Sequence, residues 1–429
     1  MIIMNTEIGK VIARQKQEWD QKKTRPYVPR LKLTQARETL SNNLIKVIMG
    51  PRRAGKSVFA ALLLRDERSA YFNFDEIGIL AGFDTEQLVP LLTQAHGPFN
   101  YIFFDEIQNL PGWQLYVNRL QREGYNLVLS GSNANLLSGE LATHLTGRFV
   151  KIEIYPFNFS EFVTAKKAEA LSIDGQVLSQ EFLKTGGYPE IILGQGIDRS
   201  DYLQNLVQAV ISKDIVTRHK LRKMSELTNT ADWIFNNIAK ELTFARLSSK
   251  SSHAGLPASA VTVKRYISYL EEAYLVKLVG RYDLNHRERV KSPKKIFALD
   301  NGAARAMGFR ASPDEGRLLE NLVYTELLKS SIGDDIKYFR SQQGDKEVDF
   351  ILRNGHETRQ LIQAVWDLSD QRTLARELKG MSGAMKSARC QNALLVTWAQ
   401  AGDFVVDGVS IKAIPFHVWA RLPPFPPML

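Results

Sequence analysis

One short segment in the first quarter of the chain carries the residue types that phosphate binding requires. The segment GPRRAGKS (50–57) has glycines near both ends of a loop, followed by a lysine and a serine. Glycines allow backbone N–H groups to wrap around phosphate oxygens, and a helix N-terminus adds partial positive charge. In such loops the lysine reaches the β- and γ-phosphates and the hydroxyl ligates Mg²⁺. The residues predicted to bind a nucleoside triphosphate are Gly50, Pro51, Arg52, Arg53, Ala54, Gly55, Lys56, Ser57 and Val58.

A second pattern supplies the acids that phosphate hydrolysis needs. The apolar run 101–104 is followed directly by Asp105 and Glu106. Ligands gather at the carboxyl ends of the strands in open parallel sheets, so both acids are expected beside the phosphates. We predict that Asp105 holds Mg²⁺ with Ser57 and that Glu106 orients and deprotonates the attacking water. An isolated acidic pair more often caps a helix, but here it follows a complete phosphate-binding loop.

Two further side chains are candidates for catalysis. Asn133 follows the next apolar run, 126–129, and is predicted to hydrogen-bond the γ-phosphate or the attacking water. The alternative is an ordinary turn asparagine. Arg148 precedes the run 150–155, where it could reach the nucleotide of a neighbouring subunit and stabilise transition-state charge. The alternative is a surface arginine paired with a carboxylate.

The elements that position these residues follow from hydrophobic patterning. Apolar runs alternate with helical stretches such as 56–65 and 113–122. This alternation predicts an α/β fold with a mainly parallel sheet and helices on both faces. The predicted strands are 44–49, 71–74, 101–104, 126–129 and 150–155. We place this domain at 34–165, preceded by a basic arm over 1–33 that contains a helix near 8–22.

The remainder of the chain divides into three parts. Residues 166–240 show helical periodicity and no clear strand, which predicts a helical lid subdomain. Residues 241–305 have two helices, 243–249 and 259–274, and then two strands, 276–282 and 295–299, as in a winged helix. Residues 306–429 form a second α/β domain, in which Asn354-Gly355 indicates a tight hairpin turn. Its predicted helices are 318–328 and 373–385, and its predicted strands are 337–340, 348–353, 360–366 and 393–398.

Composition excludes several classes of protein. The chain has 429 residues, of which 44% are hydrophobic and 24% charged, so it is neither disordered nor fibrous. A single cysteine, Cys390, excludes an internal disulfide and a cysteine-built zinc site. There is no apolar run of about 18 residues, so no membrane span is expected. These features predict a cytoplasmic protein.

The net charge of +10 suits a polyanionic partner. Basic residues concentrate in the N-terminal arm, in 213–223 and in 281–295, the predicted wing. DNA or RNA binding through these segments is one interpretation. Solvated faces and pairs between subunits are the other, because Glu271 and Glu272 accompany Lys264 and Arg265 on the helix that would read a nucleic acid.

Taken together, the motifs resemble the prokaryotic AAA-type ATPases fused to a C-terminal domain of unknown function with a restriction-endonuclease-like fold. The matching segments are GPRRAGKS (50–57), YFNFDE (71–76), FFDEIQNLPGW (103–113), LSGSNANLLS (129–138), LTGRF (145–149), YPFNFSEF (155–162), GGYPE (186–190), KKIFALD (294–300) and EVDFIL (347–352). The resemblance implies ATP as the nucleotide and a winged-helix segment before the last domain. It also strengthens the interpretation of Arg148, because AAA-type rings place their sites at subunit boundaries.

The nuclease-like domain departs from the pattern of active enzymes. Metal-dependent nucleases of that fold place acids on a helix and on two strands, with a lysine two residues after the last acid. Glu320 and Asp349 match the first two positions, but Gln363-Ala364-Val365 stands at the third. We therefore expect a fold kept for binding or assembly, with Glu320 and Asp349 as capping or paired acids.

The favoured hypothesis is a Mg²⁺-dependent, ATP-hydrolysing AAA-type ATPase that forms oligomers and acts as a switch or motor. A scaffold whose conformation ATP controls is the first alternative, and an ATP-driven nuclease is the second. The three differ in turnover rate, in nucleotide-dependent association and in Mg²⁺-dependent cleavage of nucleic acid.

Overall fold

The chain folds into two compact units, Met1–Pro156 and Phe157–Leu429. We describe them from a computed structural model. The residues described are 7–76, 84–132, 147–167, 169–249, 255–283, 292–308, 314–330, 335–341, 343–344 and 346–422. The predicted domain borders remain predictions, but helix 159–165, which we assigned to the first α/β domain, belongs to the second unit.

A five-stranded parallel sheet forms the centre of the first unit, in the order β2-β3-β4-β1-β5. The strands are β1 (Ile45–Met49), β2 (Ser69–Asn73), β3 (Tyr101–Asp105), β4 (Asn126–Gly131) and β5 (Phe149–Glu153). Strands β1 and β3 are buried along their whole length, which is why they appear in the sequence as continuous apolar runs. The predicted parallel α/β fold is confirmed, and β4 separates β1 from the acidic strand β3.

Five α-helices of the first unit are described, and the N-terminal one belongs to its core. They are α1 (Glu7–Thr24), α2 (Leu33–Glu38), α3 (Lys56–Leu63), α4 (Leu88–His96) and α5 (Trp113–Arg122). On α1, Trp19 is fully buried and stacks on Tyr71 of β2, with 5.0 Å between ring centroids. The side chain of Gln15 exchanges hydrogen bonds with the backbone of Asn73. The predicted basic arm therefore begins with a helix that covers the β2 side of the sheet.

The second unit begins with helices only, as predicted for 166–240. They are α6 (Phe159–Ala165), α7 (Gly175–Thr185), α8 (Pro189–Leu193), α9 (Arg199–Ala209), a π-helix (Val210–Thr217) and α10 (Met224–Phe235). Phe159, Phe162 and Phe182 pack together between α6 and α7.

A small three-stranded antiparallel sheet follows, in the order β6-β8-β7. Its elements are β6 (Glu241–Leu242), α11 (Phe244–Ser248), α12 (Ala260–Glu272), β7 (Val276–Gly280) and β8 (Lys294–Ala298). Both helices and the two longer strands were predicted. Strand β6 has only two residues, and so short a segment shows no hydrophobic periodicity in the sequence.

The last part of the chain is a six-stranded mixed sheet in the order β13-β14-β12-β11-β10-β9. Its strands are β9 (Asp335–Arg340), β10 (Glu347–Asn354), β11 (Glu357–Val365), β12 (Ala393–Thr397), β13 (Gly402–Val406) and β14 (Val409–Pro415). Its helices are α13 (Asn301–Ala306), α14 (Glu315–Ser330), α15 (Gln371–Ala388) and α16 (Phe416–Trp419). The core beside α15 is built from residues such as Val348, Leu361 and Met381.

The hairpin predicted from Asn354-Gly355 is present but shifted by one residue. Asn354 pairs with Glu357, so the two loop residues are Gly355 and His356. Gly355 has a φ of 58°, whereas Asn354 keeps an extended strand conformation. The turn therefore needs positive φ at the glycine alone.

Candidate nucleotide-binding site

The predicted phosphate loop joins the end of β1 to the start of α3. Gly50 has a φ of 148°, and a Cβ atom there would lie 1.8 Å from the carbonyl oxygen of Ile154. Gly55 precedes α3 with a φ of 90° and offers no side chain to cap the helix. A side chain at Gly50 is therefore excluded by both conformation and contact, and the loop leads directly into the helix N-terminus, as anion binding requires.

Two arginines occupy the middle of this loop, and both are exposed. Arg52 and Arg53 contrast in this respect with Pro51 and Ala54, which flank them and are buried. Arg53 adopts the left-handed backbone conformation, with a φ of 63°, and Ala54 N donates a hydrogen bond to the carbonyl oxygen of Pro51 at 3.3 Å. We predicted both arginines as nucleotide-binding residues. Because their side chains are exposed, we expect any contact with phosphate to come from their backbone N–H groups, and their assignment stays a prediction.

Lys56 lies at the first turn of α3, and its side chain folds back over the loop. Its Nζ donates hydrogen bonds to the carbonyl oxygens of Gly50 at 3.2 Å and Pro51 at 3.1 Å. Only 6% of Lys56 is exposed, so the ammonium lies within the loop and not in bulk solvent. A phosphate seated on the loop would meet this charge where little water competes for it.

Asp105 ends β3 and is held by two hydroxyl groups. The Ser130 hydroxyl, on the neighbouring strand β4, donates a hydrogen bond to Asp105 Oδ1. The Tyr71 hydroxyl, on β2, lies 3.4 Å from Asp105 Oδ2. Burial raises the pKa of Tyr71 far above its ordinary value, so the phenol remains a donor. The carboxylate is thereby fixed at the edge of the sheet, two strands from the one that leads to the phosphate loop.

Glu106 follows Asp105 in the left-handed backbone region, with a φ of 50°. Its backbone N–H donates to the Ser130 hydroxyl at 3.2 Å, and its carboxylate accepts a hydrogen bond from Gln108 Nε2. Burial raises the pKa of Glu106, and the positive charge of Lys56 opposes that rise. A carboxylate with a raised pKa is a better proton acceptor than an ordinary one, which suits general-base chemistry.

Ser57 and Asp105 both offer the oxygen donors that Mg²⁺ prefers. Ser57 is half-buried at the start of α3, as is Val58 beside it, and Asp105 is buried at the end of β3. The residues predicted to hold the metal therefore fit it in chemical type. In the chain as it stands, no group of three or more His, Cys, Asp or Glu side chains among the described residues could hold a metal ion.

Two residues near the loop escaped the sequence analysis. Arg30 donates to the carbonyl oxygens of Ala54 at 3.0 Å and Tyr155 at 2.5 Å, and so braces the phosphate loop. No local pattern marks Arg30, because its partners are distant in sequence. Gln108 could have been suspected from its spacing, since it lies two residues beyond Glu106.

Of the two remaining candidate catalytic residues, Arg148 and Asn133, the structure describes only Arg148. Arg148 is exposed at the start of β5, and its carbonyl oxygen accepts a hydrogen bond from Ile45 N at the start of β1. Because β1 and β5 are parallel, Arg148 lies at the opposite end of the sheet from the phosphate loop of the same chain. Asn133 lies outside the described residues.

Comparison with known proteins agrees with this geometry. Residues 42–163 match the family described as an AAA domain. The chain is 32% identical to an uncharacterized protein of Haemophilus influenzae over 329 residues, which cover 73% of this chain and 81% of that protein. It belongs to the same family as that protein, and it carries an AAA domain. The AAA domain includes the phosphate loop, Asp105, Glu106 and Arg148.

Other similarities extend beyond the AAA domain. An uncharacterized protein of Methanocaldococcus jannaschii is 29% identical over 402 residues, covering 88% of each chain. Residues 178–314 and 315–416 match two domains of unknown function, DUF8612 and DUF4143. Among solved structures, the chain is similar to the Walker-type ATPase of Pyrococcus abyssi, with 15% identity, coverage of 66% of this chain and 98% of that chain, and a TM-score of 0.45. It is also similar to the ORC1 protein of Aeropyrum pernix in complex with DNA, with 15% identity, coverage of 68% and 96%, and a TM-score of 0.30.

The acids predicted as a relic of a metal site are paired with a lysine. Glu320 and Asp349 both contact the ammonium of Lys295, at 2.8 and 2.9 Å. Gln363 accepts a hydrogen bond from Asp349 N and donates one to Glu377. The interpretation of Glu320 and Asp349 as paired acids therefore agrees with the structure.

The basic segments are only partly exposed. In 213–223 all the basic side chains are exposed: Lys213, Arg218, Lys220, Arg222 and Lys223. Lys295 of the predicted wing is buried, so its place in an exposed basic cluster was wrong. It was misplaced because the acids that surround it, on α14 and β10, lie far along the chain. Among the described helices, none has the length and apolarity that a membrane span needs.

Proposed function

We propose that this protein is a Mg²⁺-dependent ATPase whose AAA domain hydrolyses ATP. The observation that carries the proposal is that two parallel strands end on the same side of the sheet. Lys56 lies at the start of the helix after β1, Asp105 ends β3, and Glu106 follows it. Strand β4 lies between them and contributes Ser130, which contacts both acids. The residues proposed as phosphate-binding cation, metal ligand and base therefore lie at the same edge of one sheet.

Each residue has a distinct task in the reaction. The backbone of 50–57 holds the phosphates, and Lys56 attracts their charge. Ser57 and Asp105 would hold Mg²⁺, which when bound neutralises charge on the β- and γ-phosphates. Glu106 orients a water molecule and accepts its proton, while the amide of Gln108 fixes the carboxylate that does so. Asn133 is proposed to contact the γ-phosphate or that water.

We propose that Arg148 acts on the nucleotide of a neighbouring copy in an oligomer. Arg148 is exposed and lies at the end of the sheet away from its own phosphate loop. An arginine in that place cannot complete its own site, because a five-residue strand separates the two ends. This favours an oligomer in which the sites lie at subunit boundaries.

Arg148→Ala should lower kcat by at least about 100-fold and leave ATP affinity unchanged, because arginine fingers stabilise charge that develops only in the transition state. Phosphate release and nucleotide binding would be measured on the same preparation. Mixing Arg148→Ala with Lys56→Ala chains should restore activity, since one supplies the intact loop and the other the intact arginine. Arg122→Ala, an exposed arginine of the same domain, is the matched control. Wild-type turnover by Arg148→Ala, or failure of the mixture to recover, would refute the role.

We further propose that the second unit contacts nucleic acid. The order α10-β6-α11-α12-β7-β8, with β8 between β6 and β7, supports the predicted winged helix, in which α12 would be the reading helix. Lys264 and Arg265 on α12 are exposed. The two acids that argued against this helix are partly covered by the protein: Glu271 accepts a hydrogen bond from Leu278 N, and the Glu272 carboxylate lies 3.5 Å from His219 Nε2.

The exposed basic residues of 213–223 lie beside α12, since His219 stacks on Tyr269 with 3.7 Å between ring centroids. The two segments therefore contribute to a common basic surface. Phosphate contacts of this kind release counterions, so binding weakens as the salt concentration rises.

ATP hydrolysis should require Mg²⁺ and should be stimulated by DNA or RNA at low salt. Phosphate release would be measured with Mg²⁺ or EDTA, with and without each polymer, over a range of salt concentrations. Lys264→Glu with Arg265→Glu should abolish stimulation and keep basal turnover, whereas Arg372→Glu with Lys386→Glu, exposed on α15, should change neither. Activity in EDTA would refute the Mg²⁺ requirement. Hydrolysis that no polymer changes, combined with slow turnover, would favour the ATP-controlled scaffold.

A further inference from the structure

A buried lysine lies at the centre of three carboxylates in the second unit. Lys295 projects from β8, and only 3% of its side chain is exposed. Its Nζ lies 2.8 Å from Glu320 Oε1, 2.7 Å from Glu347 Oε1 and 2.9 Å from Asp349 Oδ1. The carboxylates come from α14 and β10, so one ammonium joins three elements of the unit.

Two of these acids are positioned by contacts that do not involve the lysine. Asp349 Oδ2 accepts a hydrogen bond from Ala364 N, and Asp349 N donates to Gln363 Oε1. On α14, Asn321 exchanges hydrogen bonds with the backbone of Ala298, and so fixes the helix that carries Glu320. Asp349 and the helix of Glu320 are thus positioned by the fold itself, and Glu347 adds a third oxygen on the side nearest to solvent.

Acidic side chains outnumber basic ones among these four residues. Three carboxylates meet one ammonium, and burial alone would drive protons onto the acids. Burial disfavours the charged form of Lys295, but Asp349, Glu320 and Glu347 together raise its pKa well above the ordinary value. Burial, then the charge of Asp349, raises the pKa of Glu320. One ammonium thus serves three carboxyl groups that the fold has brought together.

We propose that Lys295 is an internal cation that fills a divalent-metal site of the C-terminal domain and keeps metal out. The oxygens lie 2.7–2.9 Å from the ammonium nitrogen, slightly farther than oxygen ligands lie from Ca²⁺, so a small inward shift would bring them to a metal ion. Glu347 is 38% exposed and leaves the site an approach from solvent. When the ammonium is removed, the carboxylates become a site of hard oxygen donors for Mn²⁺, Mg²⁺ or Ca²⁺. The inference concerns the second unit and does not depend on ATP hydrolysis.

The test removes the ammonium and asks whether a metal replaces it. Lys295→Ala and the bulkier Lys295→Met would be compared with the wild-type full chain, without nucleotide, by melting temperature in EDTA and in Mn²⁺. Bound Mn²⁺ would be counted by electron paramagnetic resonance. Each variant should melt below wild type in EDTA, recover in Mn²⁺, and bind one Mn²⁺ per chain more than wild type does.

The controls separate this site from the phosphate loop and from general destabilisation. Lys294→Ala, the adjacent residue on β8, should gain no Mn²⁺. Adding Asp349→Asn to Lys295→Ala should remove the extra Mn²⁺, whereas adding Lys56→Ala should not. The proposal is overturned if folded Lys295 variants bind no extra Mn²⁺, if wild type already binds it at these acids, or if both variants stay unfolded at saturating Mn²⁺.

Discussion

Lys56→Ala is expected to abolish ATP binding, with an affinity loss of at least about 100-fold, or about 3 kcal/mol. The ammonium lies within the loop against the carbonyl oxygens of Gly50 and Pro51, and only 6% of Lys56 is exposed. Without it, the β- and γ-phosphates lose a charge-assisted contact made in a poorly hydrated place.

The measurement is equilibrium binding of a fluorescent ATP analogue, together with phosphate release. Lys151→Ala is the matched control, because Lys151 is exposed on β5 and pairs with Glu153 at 2.7 Å. It should bind and hydrolyse ATP as the wild type does. If Lys56→Ala retained full ATPase activity, the assignment of the phosphate site would be wrong.

Glu106→Gln is expected to bind ATP normally and to lower kcat by about 10²–10⁴-fold, the usual contribution of a general base. The amide has nearly the same shape and still accepts the hydrogen bond from Gln108, but it cannot take a proton from water. ATP affinity should remain because Lys56, Ser57 and Asp105 are unchanged.

The pH dependence gives a second readout for Glu106. The base must be deprotonated, so wild-type turnover should fall as pH falls through its pKa. Because burial raises that pKa, the fall should begin at a higher pH than for an exposed glutamate. Glu106→Gln should no longer show this fall in turnover at low pH. Glu123→Gln, which changes an exposed glutamate after α5, should keep both the wild-type rate and the fall. An unchanged kcat in Glu106→Gln would exclude the base role.

The catalytic edge of the first unit was predictable because its determinants are local in sequence. The loop 50–57 comes directly after the predicted strand 44–49, and Asp105 and Glu106 come directly after the predicted strand 101–104. In both cases the strand and the functional residues are adjacent in sequence. Parallel strands then bring these ends together without further information. The position of Ser130 beside Asp105 also follows, because β4 was predicted as the next strand.

The same motif does not say which of its side chains are buried. Arg52, Arg53 and Lys56 are all basic residues of one loop, yet only Lys56 is buried. The difference arises from the turn into α3, which places the lysine within hydrogen-bonding distance of the carbonyl oxygens of Gly50 and Pro51.

Apart from the contact of Gln108 with Glu106, the contacts that sequence analysis missed are between distant residues. Arg30 reaches the carbonyl of Tyr155, and Lys295 reaches Asp349, with no periodicity to link either pair. Lys295 was wrongly grouped with the exposed residues of the wing, because a lysine in a basic stretch is ordinarily solvated. Only the tertiary fold brings three acids to it and makes its burial favourable.

The stacking of Trp19 on Tyr71 links the position of the N-terminal helix to the position of Asp105. Trp19 belongs to the N-terminal helix, and the hydroxyl of Tyr71 lies 3.4 Å from Asp105. Two aromatic rings thus connect the N-terminal helix to the carboxylate proposed to hold magnesium. A displacement of α1 would therefore be transmitted through this stack to the proposed metal ligand, so the position of the helix and the geometry of the candidate site are coupled.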